Sequence, residues 1–204
     1  MKPWIKFIPY KKSTGKLRTI YDRIMGSNKD LKIDNILMIH SLRPHSLDGH
    51  MRLYKNVLHH MSNTLPKSLL ETLGVYVSYL NSCEYCFKHH FAGLKRLLSD
   101  DRKAMSIKVA IETGQEEEYF TGRDLALIRY AKQLTLSPGK MDESYIMALR
   151  EQDLDDGQIL EANQVISYFA YVNRTVNGLG VTIKGDILGL SPGDSDNPDN
   201  WSHS

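Results

Sequence analysis

The sequence predicts an all-α, single-domain helical bundle. Apolar residues recur at intervals of three and four along most of the chain. Helix-starting and helix-stopping residues bracket those segments. No alternation of polar and apolar residues persists long enough to specify a strand. Tyr76 to Tyr79 comes nearest, and helical spacing accounts for it better.

Residues 1–14 read as an extended, basic lead-in, because Pro3 and Pro9 oppose helix. Leu17, Ile20, Tyr21 and Ile24 then share one helical face. Asp34 is placed to cap a short helix through Ile39, and Pro44 closes that region. Ser46 starts a longer helix with Leu47, Met51, Tyr54, Leu58 and Met61 on one side. Thr64 and Pro66 suit an N-cap and an early helical proline. The helix they open carries Leu69, Leu70, Leu73, Tyr76, Val77 and Leu80. Asn81-Ser82 interrupts it, and a new helix runs from about Cys83 to about Leu98.

Asp101 caps the next helix, with Met105, Val109 and Ala110 expected inward. Thr121 opens another, with Leu125, Ile128, Ala131 and Leu134 as its buried stripe. Ser137-Pro138-Gly139 is a turn, and Asp142 to Arg150 is a short helix. Asp155 and Gln158 have the spacing of a capping box. The long helix after them reaches about Asn177, where Gly178 and Gly180 stop it. The expected division is a helical domain over 1–183 and a tail over 184–204. That tail, rich in Gly, Pro, Asp, Asn and Ser, reads as loop or partly ordered chain.

The length of 204 residues fits one domain. The 26 basic and 24 acidic residues nearly cancel, so no electrostatic case exists for nucleic acid or an anionic membrane. Apolar runs such as Leu73 to Leu80 are too short to span a bilayer. The N-terminal residues lack a secretory apolar region and a cleavage site, so a cytoplasmic location is expected. The two cysteines form a single Cys-x-x-Cys. A loop that small staples almost nothing, so chemistry explains the pair better than stability.

Cys83 falls at the start of a helix, where unpaired backbone N–H groups and the helix dipole favour a thiolate. Cys86 follows one turn later. His90, four residues further, shares its face and could take its proton or, protonated, stabilise its thiolate. Cys83 is near enough to resolve a sulfenic acid on Cys86 into a disulfide. Phe87, Phe91, Leu94 and Leu98 form a second stripe expected to face the core. The cysteine line, offset by roughly a quarter turn, would lie at the core's edge.

Glu71, eleven residues, Cys83-x-x-Cys86, three residues and His90 match the signature of one family. The chain resembles the alkyl hydroperoxidase D-like branch of the carboxymuconolactone decarboxylase superfamily. Ser78-Tyr-Leu-Asn81-Ser-Cys83-Glu-Tyr85-Cys86 resembles the family's approach to its cysteines. Ala126 to Leu134 resembles its following helix. Ser167 to Val181 resembles the closing helix of the longer peroxidase-related members, so the likeness spans about residues 10–183.

The resemblance implies an all-helical homo-oligomer that reduces hydroperoxides without a bound cofactor or metal. It implies Cys86 as peroxidatic thiol, Cys83 as resolving thiol, and His90 with Glu71 as proton relay. A lipoylated or thioredoxin-like thiol protein would be the reductant. Peroxidase members carry a histidine just before the second cysteine. Here that position is Tyr85, which holds its proton at neutral pH. Decarboxylase members generally lack the cysteine pair, which argues against lactone decarboxylation.

Other readings of the same residues are inert buried thiols, a redox-sensing helical oligomer or scaffold, and a metal site built from Cys83, Cys86 and His90 with Glu71 or His89. Structural zinc usually takes four ligands, and no second cysteine pair exists. His59-His60 and the other histidines before them are better explained by packing or surface exposure. Glu116-Glu117-Glu118 reads as a solvated loop.

Overall fold

In the computed structural model, which describes residues 2–26, 32–197, 200 and 201, the chain winds through ten α-helices. They are α1 (Gly15–Met25), α2 (Asn35–Ile39), α3 (Pro44–His59), α4 (Lys67–Leu80), α5 (Glu84–Leu98), α6 (Asp101–Thr113), α7 (Glu116–Tyr119), α8 (Gly122–Leu136), α9 (Glu143–Arg150) and α10 (Asp156–Leu179). No described helix is long and apolar enough to cross a membrane.

Helix α4 is the axis of the fold. Every residue from Leu69 to Ser78 is buried, which places it at the centre of the bundle. Helices α5, α8 and α10 pack around it and share the main core. A smaller core joins α1 and α3 through Leu17, Ile20, Tyr21, Leu47 and Met51, with Trp201 among them. The capping box forms as expected. Asp155 accepts from the Gln158 N–H, and Gln158 accepts from the Asp155 N–H.

Gly74 marks the closest approach of α4 to α10. A Cβ there would overlap the Phe169 ring. Gly74→Ala should therefore cost about 1–3 kcal/mol, the usual range for overpacking. Urea denaturation checks this. A midpoint equal to wild type would mean that Phe169 swings aside at no cost.

Several elements differ from expectation. Pro44 does not close a region but opens α3 at its first turn, where the missing N–H costs nothing. Helix α4 begins at Lys67, and Pro66 occupies the N-cap position. The Thr64 N–H and hydroxyl turn instead to Glu161 of α10. On α6, Met105 and Val109 are exposed. The smaller Ala104 and Ala110 face inward with Ile107 and Ile111. Glu116 belongs to a short helix and is buried, bonded to the Tyr76 hydroxyl and to Lys132. The burial of the α5 stripes is exchanged. Phe87, Phe91 and Leu98 are only partly buried, while Cys86 points inward with Leu94.

The segment after α10 is irregular, and it is packed along the bundle rather than trailing from it. Asp186 accepts from the Asn35 N–H and the Tyr85 hydroxyl. Gly189, at φ +77°, rests on Ala92 and Gly93 so closely that a Cβ would collide with them. The Lys55 ammonium donates to the Gly193 carbonyl. Asp194 pairs with Lys67 at 2.6 Å. Trp201 is buried beside Tyr54. The part of the expected tail at 198, 199 and 202–204 lies outside the described residues.

Candidate active site

The short link between α4 and α5 builds the thiol site. Ser82 adopts φ +52°, which turns the chain so that the Cys83 N–H reaches the Ser78 carbonyl at 2.8 Å. Cys83 then sits at the N-cap of α5, and Cys86 lies one turn inside. Both are free thiols, 1% and 3% exposed. This is deeper than the core-edge position expected from the helical stripe.

The Cys86 thiol beside Cys83 lowers the Cys83 pKa, burial opposes this, and backbone N–H groups and Asn173 assist the lowering. Burial raises Cys86 well above the ordinary thiol range, and a Cys83 thiolate raises it further. The pair therefore loses one proton readily and the second with difficulty. Asn173 is fully buried on α10. It donates to the Ser78 hydroxyl at 3.1 Å, accepts from Asn81 at 3.0 Å, and favours a thiolate on either cysteine.

Glu71 and His90 meet across α4 and α5. His90 Nδ1 lies 2.8 Å from Glu71 Oε2. A carboxylate partner fixes Nδ1 as the protonated nitrogen of a neutral ring and leaves Nε2 as its basic one. Glu71 is almost wholly buried. Burial alone would raise its pKa, but His90, with His59 and Lys67 beyond it, brings the carboxyl below its usual value. No hydrogen bond joins Cys86 to His90, whose Nδ1 turns to Glu71. Phe169 of α10 packs edge-on against the His90 ring and holds its plane.

A cavity opens between α2, α3, α5, α10 and the irregular segment, with about 70 Å³ accessible to the centres of water-sized molecules. Cys86, Glu71 and His90 line it, whereas Cys83 lies behind. Tyr54, Tyr85, Tyr168 and Trp201 add aromatic surface to walls that also carry aliphatic and charged side chains. Asp34 also faces it. Tyr85, in the place of the family histidine, donates to Asp186 at 2.7 Å and stacks on His89. Burial first, then Asp186 and Asp34, raise Tyr85 well above the ordinary phenol range, so it stays a donor.

The four residues singled out by spacing thus come together. The spacing gave no sign of Asn173, Tyr54, Tyr168, Asp34 or Asp186. The Asn173 position lies inside the stretch that resembled the family's closing helix, which was the one available signal for it. No group of three or more His, Cys, Asp and Glu side chains placed to hold a metal ion occurs among the described residues.

Fold and site define an all-helical dithiol protein with a carboxylate–imidazole pair beside the thiols. No family model and no curated protein sequence matches the chain. Solved structures do. The alkylhydroperoxidase AhpD core protein of Ralstonia eutropha JMP134, an uncharacterized peroxidase-related protein, superposes with a TM-score of 0.75 at 19% identity, over 88% of this chain and 91% of that one. An uncharacterized peroxidase-related protein from Silicibacter sp. TM1040 gives 0.75 at 19% identity, over 89% and 92%. The debrominase Bmp8, as a cysteine-to-alanine variant in complex with 2,3,4-tribromopyrrole, gives 0.69 at 16% identity, over 91% and 94%. The chain has the alkyl hydroperoxidase D-like fold.

Proposed function

We propose that this protein is a thiol peroxidase of the peroxidase-related alkyl hydroperoxidase D-like branch, reducing organic hydroperoxides through a Cys83–Cys86 disulfide cycle. One observation carries the reading. Cys86 lines a cavity shared with the Glu71–His90 pair, while its partner thiol is buried directly behind it.

Cys86 is the peroxidatic thiol because it alone of the two faces the cavity. Its proton passes to the neighbouring Cys83 thiolate, which leaves a thiolate facing the substrate. The neutral His90 ring, held by Glu71, can receive the proton that the pair sheds. The Cys86 thiolate attacks the terminal oxygen of the hydroperoxide, forming a sulfenic acid as the O–O bond breaks. The Cys83 thiol then attacks the sulfenic sulfur and closes the disulfide, its proton leaving with the hydroxyl as water. A thiol protein restores the dithiol. A homo-oligomer fits the apolar Leu160 and Tyr171 exposed on α10, and a cytoplasmic location fits a thiol cycle.

The aromatic side chains of the cavity and the debrominase likeness favour a second substrate class, halogenated aromatic compounds, reduced by the same dithiol with release of halide. Thiol titration with intact mass after one equivalent of tert-butyl hydroperoxide tests the first reading. Fast loss of both thiols and of two hydrogens is expected. Thiols that oxidise once but accept no electrons from any dithiol reductant would indicate a sensor. Thiols inert to peroxide but oxidised by a bromopyrrole would move the assignment to dehalogenation.

A further inference from the structure

The cavity holds a second carboxyl group besides Glu71. Asp34 stands at the N-cap of α2 but makes no side-chain cap bond. It lines the cavity with Cys86 and Tyr85. Its neighbour Asp186 accepts hydrogen bonds. The Tyr85 hydroxyl donates to it at 2.7 Å and the Asn35 N–H at 3.1 Å. Asp34, by contrast, has no hydrogen-bonded donor among the described residues.

Two adjacent carboxyls with one set of donors between them keep one proton, and the unsupported member holds it. Burial, and next to it the Asp186 charge, push Asp34 up to about 7. Glu71 has the opposite setting, with an imidazole against it. Glu71 and Asp34 line the same cavity as the Tyr54 phenol, which burial first and then both carboxylates hold protonated. A pair of carboxyls driven apart in this way divides acid from base.

Resting on the peroxidase reading, we infer that Asp34 is the general acid that protonates the leaving oxygen. Attack by the Cys86 thiolate forms the S–O bond and breaks the O–O bond. The sulfur loses two electrons, and the departing oxygen gains them as alkoxide. The Asp34 carboxyl gives its proton to that alkoxide, releasing the alcohol. The resulting Asp34 carboxylate is reprotonated from solvent, which makes good the proton that the thiol pair shed to His90.

Leaving-group chemistry tests this. An alkoxide needs a proton to depart, whereas the carboxylate released from a peracid does not. Asp34→Asn should slow sulfenic acid formation with tert-butyl hydroperoxide roughly a hundredfold, within the usual range for general acid catalysis. The rate with peracetic acid should stay within about twofold. Asn and Ser both serve at an N-cap, so Asp34→Ser provides the same ratio if the first variant does not fold. Equal loss on both oxidants, or no loss on either, would overturn the assignment of Asp34 alone. A wild-type protein inert to both oxidants would instead overturn the peroxidase reading.

Discussion

Replacing Cys86 by serine should reduce hydroperoxide turnover roughly a thousandfold or more, as removal of a nucleophile does elsewhere. The fold should survive. A serine hydroxyl at that position still faces Cys83 and Asn173, so the cost in stability is about 1 kcal/mol. Cys83→Ser should behave differently. It leaves the cavity-facing thiol in place and removes the one that resolves it, so a sulfenic acid should accumulate on Cys86 and be trapped by dimedone. Stopped-flow peroxide consumption and intact mass distinguish the two variants. Sulfenic acid trapped on Cys83 in Cys86→Ser, with none on Cys86 in Cys83→Ser, would reverse the roles.

Replacing His90 by alanine should destabilise the protein by about 3 kcal/mol at neutral pH, because it strands a buried carboxylate. The sign with pH follows from Glu71. In the wild type its folded pKa lies below the unfolded value. It therefore adds stability above the ordinary carboxylate range, and that stability is lost as pH falls through the folded value. Without His90, the burial term that the imidazole now outweighs pushes Glu71 the other way. The variant then loses stability as pH rises. The gap between wild type and variant should widen from about pH 4 to about pH 7. Denaturant titrations at these two pH values measure it. A gap independent of pH would mean that the His90 ring contributes by packing on Phe169 rather than by pairing with Glu71.

The helices were readable because their spacing and their ends are local signals. Asp155 with Gln158, and Leu17 with Ile20, Tyr21 and Ile24, behave as their positions along the chain require. Glu71, Cys83, Cys86 and His90 were readable for the same reason, since all four lie on consecutive helices. Asp186 reaches Tyr85 across 101 residues, and no local pattern encodes such a pairing. Residue size misled on α6, where bulky Met105 and Val109 face out and small Ala104 faces the crowded interior beside Ala110, which was expected there. Centrality misled on α5. Because α4 is buried on every side, Cys86 of α5 is drawn into the core with Leu94, while Phe87, Phe91 and Leu98 pack at its margin.

The irregular segment that carries Asp186, Gly189 and Trp201 gives the cycle two geometries. On the peroxidase reading proposed above, a small hydroperoxide would fit behind it and a protein reductant would not. It is tied down by side-chain contacts and a few turns rather than by a helix ladder, so it belongs to the class of elements that open well below the free energy of global unfolding. On that reading oxidation would proceed with this wall shut and reduction with it swung out, and the turnover number at saturating reductant is expected to equal the frequency of that opening. Amide exchange along 183–197 would report the same frequency without any substrate present.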